Sequence, residues 1–93
     1  MNQQEMEQLL IDVVCNIQKI SGREGIAVTA DTKPVVDMPG FDSLNGVEAT
    51  VDVLDQLNIE LDFNNVFVEG DSALTIQQAA TRLVQAIAEL PAK

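Results

Sequence analysis

Residues 40–57 read Gly40-Phe41-Asp42-Ser43-Leu44-Asn45-Gly46-Val47-Glu48-Ala49-Thr50-Val51-Asp52-Val53-Leu54-Asp55-Gln56-Leu57. They join a glycine-containing turn to an apolar pattern of helical period. Asp42 suits the position just before a helix, because its carboxylate can accept from the unpaired N–H groups of the first turn. Ser43 is then the first helical residue, with its hydroxyl at the positive end of the helix dipole. A helix N-terminus favours a phosphate group, so the layout suits a serine that carries a phosphodiester. Ser43 reads as a modification site and not as an enzymatic nucleophile.

On a helical wheel Ala49, Val53 and Leu57 fall together, with Thr50 beside them, which predicts the core face of a helix from about Ser43 to Leu57. Leu44, Val47, Val51 and Leu54 carry the apolar arc beyond one packing face, and Glu48, Asp52 and Asp55 run along its edge. Leu54 is expected in the core. For Leu44, Val47 and Val51 two readings stand open, a second core face or contact with a partner.

Outward from this helix, the remaining chain also patterns as helix. Residues 2–20 carry Met6, Leu10, Val13, Ile17 and Ile20 at three- and four-residue steps, widened by Leu9 and Val14. Asn2 with Glu5 gives a capping-box start, and Ser21-Gly22 a stop. Residues 21–40 form a long connection broken by Pro34, Pro39 and several glycines. Its apolar islands, Ile26–Val28 and Val35–Val36, are expected to tack it onto the core, with a weakly signalled strand at Ile26–Thr29. A loop this long in a small domain either wraps the core or has a task.

Beyond Leu57, Ile59 and Leu61 are candidate anchors, and Asp62–Val68 can hold one short helix before Glu69-Gly70-Asp71 turns the chain. The last helix opens at Thr75, with Gln78 at the capping-box position. It buries Ile76, Ala79, Ala80, Leu83, Val84, Ile87 and Leu90 and is stopped by Pro91. The expected fold is therefore all-α, one domain over residues 1–93. It is a small four-helix bundle of three main helices and one short one, with a long loop between the first two main helices.

Ninety-three residues, 46% of them hydrophobic, can build one core near the lower size limit. Aromatics are confined to Phe41, Phe63 and Phe67, which favours packed helices over an aromatic-rich sandwich. The formal charge of -10, from 15 acidic and 5 basic residues, argues against nucleic acid and anionic membrane as partners. It fits either plain solubility or proteins with basic patches. A single cysteine, Cys15, lies in the first helical pattern and reads as an apolar filler. With no signal-peptide-like start and no apolar run fit for a bilayer, the expectation is a cytoplasmic protein.

Catalysis finds little support. Gly-x-Asp-Ser-Leu superficially resembles the Gly-Asp-Ser-Leu signature of serine esterases, but that chemistry needs a base for the serine proton. The chain has no histidine, and Lys19, Lys33 and Lys93 belong to no identifiable site. Zinc-type clusters are missing. Asp62-x-Asn64-x-Val66 starts like a calcium loop, yet places valine at a ligand position and lacks the turn glycine. No catalytic residue and no metal ligand is expected.

With these residues in place, the chain resembles the acyl carrier proteins and the related peptidyl and aminoacyl carrier domains. The match is Gly40-x-Asp42-Ser43-Leu44 opening an acidic amphipathic helix, with Val47-Glu48 in register. Leu57-Asn58-x-Glu60-Leu61 looks like the exit from that family's second helix, and Leu74-Thr75-Ile76-Gln77-Gln78-Ala79 like the opening of its last. The similarity covers residues 3 to 90.

The resemblance implies 4′-phosphopantetheine attached to Ser43 as a phosphodiester, its thiol holding an acyl or aminoacyl group as a thioester. It also implies that Asp42 helps a phosphopantetheinyl transferase position its magnesium and coenzyme A. Leu44, Val47 and Val51, bordered by Glu48, Asp52 and Asp55, would be the docking face for acyl-transferring and acyl-processing enzymes with basic patches. The implied protein is a monomeric acyl carrier of fatty-acid-like or polyketide-type biosynthesis, with no activity of its own. An aminoacyl or peptidyl carrier, or an unmodified interaction module of the same fold, are the alternatives.

Three departures from the family pattern stand out. Asn45 replaces an acid common in fatty-acid carriers. Gly46 puts a helix-disfavouring residue in the first turn, at about 1 kcal/mol against Ala. The segments before Ser43 and from Phe63 to Leu74 are longer than in compact fatty-acid carriers. Together they point toward a specialised stand-alone carrier.

Overall fold

The structure, a computed structural model, describes residues 1–23 and 25–90. The described chain is mostly helical, with α1 at Gln3–Ile20, α2 at Pro34–Asp37, α3 at Ser43–Leu57 and α4 at Ile76–Ala88. A two-stranded antiparallel hairpin, β1 at Val68–Glu69 and β2 at Ser72–Ala73, separates α3 from α4.

Each long helix begins where its side chains can satisfy the first-turn donors. Asn2 and Glu5 form a reciprocal capping box on α1, and Thr75 and Gln78 form one on α4. The α4 start has further help from the long connection, whose Thr32 and Ala30 carbonyls accept from the Ile76 and Gln77 N–H groups at 2.9 Å each. At the other ends, Gly22 takes φ +74° after α1, and Asn58 takes a left-handed conformation after α3. Pro91, expected to stop α4, lies outside the described residues; the helix itself ends at Ala88.

Helix α1 packs against both α3 and α4. Its buried face is Met6, Leu10, Val13, Val14 and Ile17, meeting Ala49 and Val53 of α3 and Ile76, Ala79, Ala80 and Leu83 of α4 in one core. Ile20, expected in the stripe, is 78% exposed. The stripe has drifted off the core by the last turn, because 3.6 residues per turn does not divide evenly into the spacing.

The short helix is not where the sequence suggested. Residues 62–67 form no helix; α2 lies instead inside the 21–40 connection, and no strand forms at 26–29. The physical reason is that the backbone groups of the 62–68 segment are claimed by side chains, two of them from other helices and one its own. Thr50 Oγ1 accepts from the Val66 N–H at 3.0 Å, and Asn65 Oδ1 accepts from the Phe67 N–H at 3.0 Å. Arg82 Nη1 donates to the Val66 and Val68 carbonyls at 3.0 and 2.9 Å. With these partners supplied, i to i+4 bonds are unnecessary, and Val66 and Phe67 can turn fully into the core. Phe67 meets Phe41 edge to face at 6.2 Å.

Within the connection, Pro34 sets the first turn of α2, and Asp37 accepts from the Lys33 N–H at 2.8 Å. Pro34, Met38 and Phe41 are its buried anchors, with Ile26, Val28 and Val35 packed on the core edge. Val36 is 66% exposed and anchors nothing.

Arg82 also lies over the Phe63 ring, 4.7 Å from its centroid, with 24% of its side chain exposed. Arg82→Ala should therefore lower unfolding free energy by about 2–4 kcal/mol, since charge-assisted bonds to two carbonyls are lost. Denaturant titration measures this. Glu69, 70% exposed and 3.7 Å from Arg82 Nε, contributes little; Glu69→Gln should change stability by less than about 0.5 kcal/mol.

Candidate functional site

The start of α3 is built by a cap that works in both directions. Asp42 Oδ1 accepts from the Asn45 N–H at 3.0 Å, and Asn45 Oδ1 accepts from the Asp42 N–H at 3.4 Å. Asn45, a departure from the family pattern, thus closes the capping box. Ser43 follows as the first helical residue and is exposed. Among the described residues its hydroxyl makes no hydrogen bond, while its carbonyl accepts from Asn65 Nδ2 at 3.0 Å. The oxygen is therefore open to a reagent at the positive end of a 15-residue helix.

Gly46 has a structural reason. It is buried, and a Cβ placed there would fall 2.5 Å from Asn65 Nδ2 and 2.6 Å from Oδ1. Asn65 uses these two atoms to hold the Ser43 carbonyl and the Phe67 N–H. Behind it, Thr50 Oγ1 donates to the Gly46 carbonyl at 2.7 Å. The helix-propensity loss at Gly46 lets the 62–68 segment lie directly against α3. Gly46→Ala should gain about 1 kcal/mol of propensity and lose more than that, through displaced Asn65 and its two bonds. The expected net is a destabilisation of about 1–3 kcal/mol, read from thermal unfolding.

The expected docking residues occupy one side of α3. Leu44 is 67% exposed and Val51 53%, so neither belongs to a second core face; Val47 is half-buried. Leu54 is half-buried and packs against the core. Glu48 and Asp55 are exposed and Asp52 is half-buried, accepting from Gln56 Nε2 at 3.2 Å.

The strip is not one continuous groove. Ser43, Leu44 and Val47 line a depression completed by Phe63, Asn65 and Arg82. Val51, Leu54 and Asp55 line a second one with Ile59, Leu61 and Leu90. Leu90, expected in the buried face of α4, is 38% exposed here.

Sequence reasoning did not find Arg23, Gln18, Asn65 or Arg82, the side chains that support this end of α3. Their contacts cross 14 to 22 positions of sequence, where periodicity carries no signal. Only Gly46, a glycine inside a helical pattern, hinted at a close approach.

Among the described residues no three His, Cys, Asp or Glu side chains converge as a metal site, and no helix is long and apolar enough to cross a membrane. Cys15 is half-buried; burial first, and then the charge of Asp12, push its thiol pKa up, so it is a poor thiolate source. No protein-family model, no characterised protein and no solved structure matches the chain.

Proposed function

We propose that the chain is an acyl carrier protein, a monomeric cytoplasmic shuttle with no activity of its own, carrying acyl intermediates on 4′-phosphopantetheine attached to Ser43. The observation that carries this reading is the exposed Ser43 hydroxyl, without a hydrogen bond among the described residues, on the first residue of a well-capped helix. The residues present fit the group: a phosphodiester there would face the unpaired N–H groups and the positive end of α3. Ser43 is exposed, so among the described residues its oxygen is open to solvent. On this reading the helices are those of a small four-helix carrier bundle, with α2 as the short member.

When bound, the arm supplies a thiol whose thioester keeps a carbonyl electrophilic and its α-carbon acidic. The chain's own part is presentation. Ser43 Oγ would take the phosphopantetheinyl group from coenzyme A as a phosphodiester, an O–P bond forming as the phosphoanhydride bond breaks, with 3′,5′-ADP as the leaving group and the serine proton passing to the transferase. Asp42 fixes the helix start and, on the carrier reading, its carboxylate would help the transferase hold its magnesium. Leu44, Val47 and Val51 then give partner enzymes apolar contact, while Glu48, Asp52 and Asp55 steer basic patches toward it.

The test is intact mass after incubation of the full chain with coenzyme A, magnesium and a broad-specificity phosphopantetheinyl transferase. One phosphopantetheinyl increment, mapped by peptide fragmentation to Ser43, supports the carrier. No increment with several transferases would leave an unmodified interaction module. Reversing Asp52 and Asp55 together to Lys should slow modification about tenfold, since steering charges act on association rate. Circular dichroism should stay nearly unchanged; collapse of the helical signal would instead make those carboxylates structural.

A further inference from the structure

We infer that Arg23 is a positioning residue for Ser43, acting through the turn that precedes it; this rests on the carrier reading above. The turn from Pro39 to Asp42 has no secondary structure of its own, yet it sets where the serine stands. Gln18 of α1, 1% exposed, donates from Nε2 to the Pro39 carbonyl at 2.9 Å. Its Oε1 accepts from Arg23 Nε at 3.2 Å. Arg23 is itself tied to α1 by its N–H, which donates to the Gln18 carbonyl at 2.7 Å. The other arm of the guanidinium reaches Asn45 Oδ1, the capping-box oxygen of α3, at 3.4 Å.

Gly40 gives a second, independent indication that the guanidinium belongs there. Its φ is +72°, and a Cβ at that position would stand 2.5 Å from Arg23 Nε and 2.9 Å from Cζ. The turn therefore leaves its side-chain space to the arginine. Phe41, buried against Phe67, holds the other side. Residues 39–45 are thus held between α1 and the core, with Ser43 at the exposed crest. An arginine is needed because its fork can engage Gln18 and Asn45 together, which a lysine ammonium cannot.

Most of the core lies elsewhere, so loss of Arg23 should widen the poses of this turn while sparing the fold. Near-attack geometry is sensitive to displacements of about 1 Å. The experiment compares Arg23→Gln and Arg23→Lys with the parent full chain, using coenzyme A and a broad-specificity transferase. Rates come from intact mass, with a thermal melt and amide hydrogen exchange alongside. The expected result is a melt near the parent's and faster exchange at the amides of residues 40–45. With it goes a fall of about tenfold or more in kcat, and little change in KM, in both variants.

Unchanged rates and exchange in folded Arg23→Gln overturn the inference. A raised KM that Arg23→Lys restores also overturns it, because Arg23 would then be a charge contact for the partner. If the parent chain accepts no group, the carrier reading fails, and exchange alone decides whether Arg23 holds the turn.

Discussion

Ser43→Ala will accept no phosphopantetheinyl group, and its fold will be indistinguishable from that of the parent. Both halves of this result follow from the same geometry. The Ser43 side chain is exposed and makes no hydrogen bond to a described residue, so removing its oxygen leaves no unsatisfied partner. The bond that matters structurally at this position is made by the Ser43 carbonyl to Asn65, which alanine retains. Alanine also has the better helix propensity, by a few tenths of a kcal/mol. The cap is unaffected, since Asp42 and Asn45 pair with each other. Loss of modification is therefore chemical and not a consequence of misfolding. Intact mass gives the first half and thermal unfolding the second. An increment that survives in Ser43→Ala would move the attachment to another residue and end the carrier proposal.

Ala49→Asp has the opposite signature, loss of the fold itself. Ala49 has no exposed surface and lies on the face of α3 that joins the core shared with α1 and α4. An unpaired carboxylate there carries a desolvation cost of several kcal/mol, and its extra atoms must displace packed neighbours. A domain of this size has a total stability of about 5–15 kcal/mol. The expected outcome is loss of most helical circular dichroism at neutral pH and 25 °C. Leu44→Asp is the control. The same carboxylate at an exposed residue in the first turn of α3 faces solvent and the positive helix end, and should leave the fold intact. If Ala49→Asp stays folded with a cooperative melt, the assignment of the α3 core face is wrong.

These two variants mark how legible the chain was. Of the residues the helical wheel groups together, Ala49, Val53 and Thr50 are buried while Leu57 is half-buried against the core edge; the capping residues Asn2, Asp42 and Thr75 all cap. The exposed side of α3 was left undecided by pattern. Leu54 packs against the core as its position on the wheel suggests, but it took burial to show that Leu44 and Val51 face outward and that Val47 is half-buried. The short helix lies at Pro34–Asp37 and not at 62–68, because four residues are too few to show a period, whereas Asp62–Val68 offers a cap followed by apolar residues. Arg82, one turn into the α4 core face from Ala79, redirects those backbone groups.

What the sequence determined alone is what depends on near neighbours. Helix starts, the apolar face of each long helix and the placing of Ser43 just after its cap arise within one or two turns, where side-chain period and local hydrogen bonding act. What tertiary structure decided are the pairings over long separations. Gln18 and Arg23 reach the Gly40 turn, Asn65 rests on Gly46, and Thr50 and Arg82 supply the 66–68 backbone. Such pairings satisfy particular donors and acceptors in three dimensions. A one-dimensional pattern records that a polar residue is present, but not which distant backbone group it will reach.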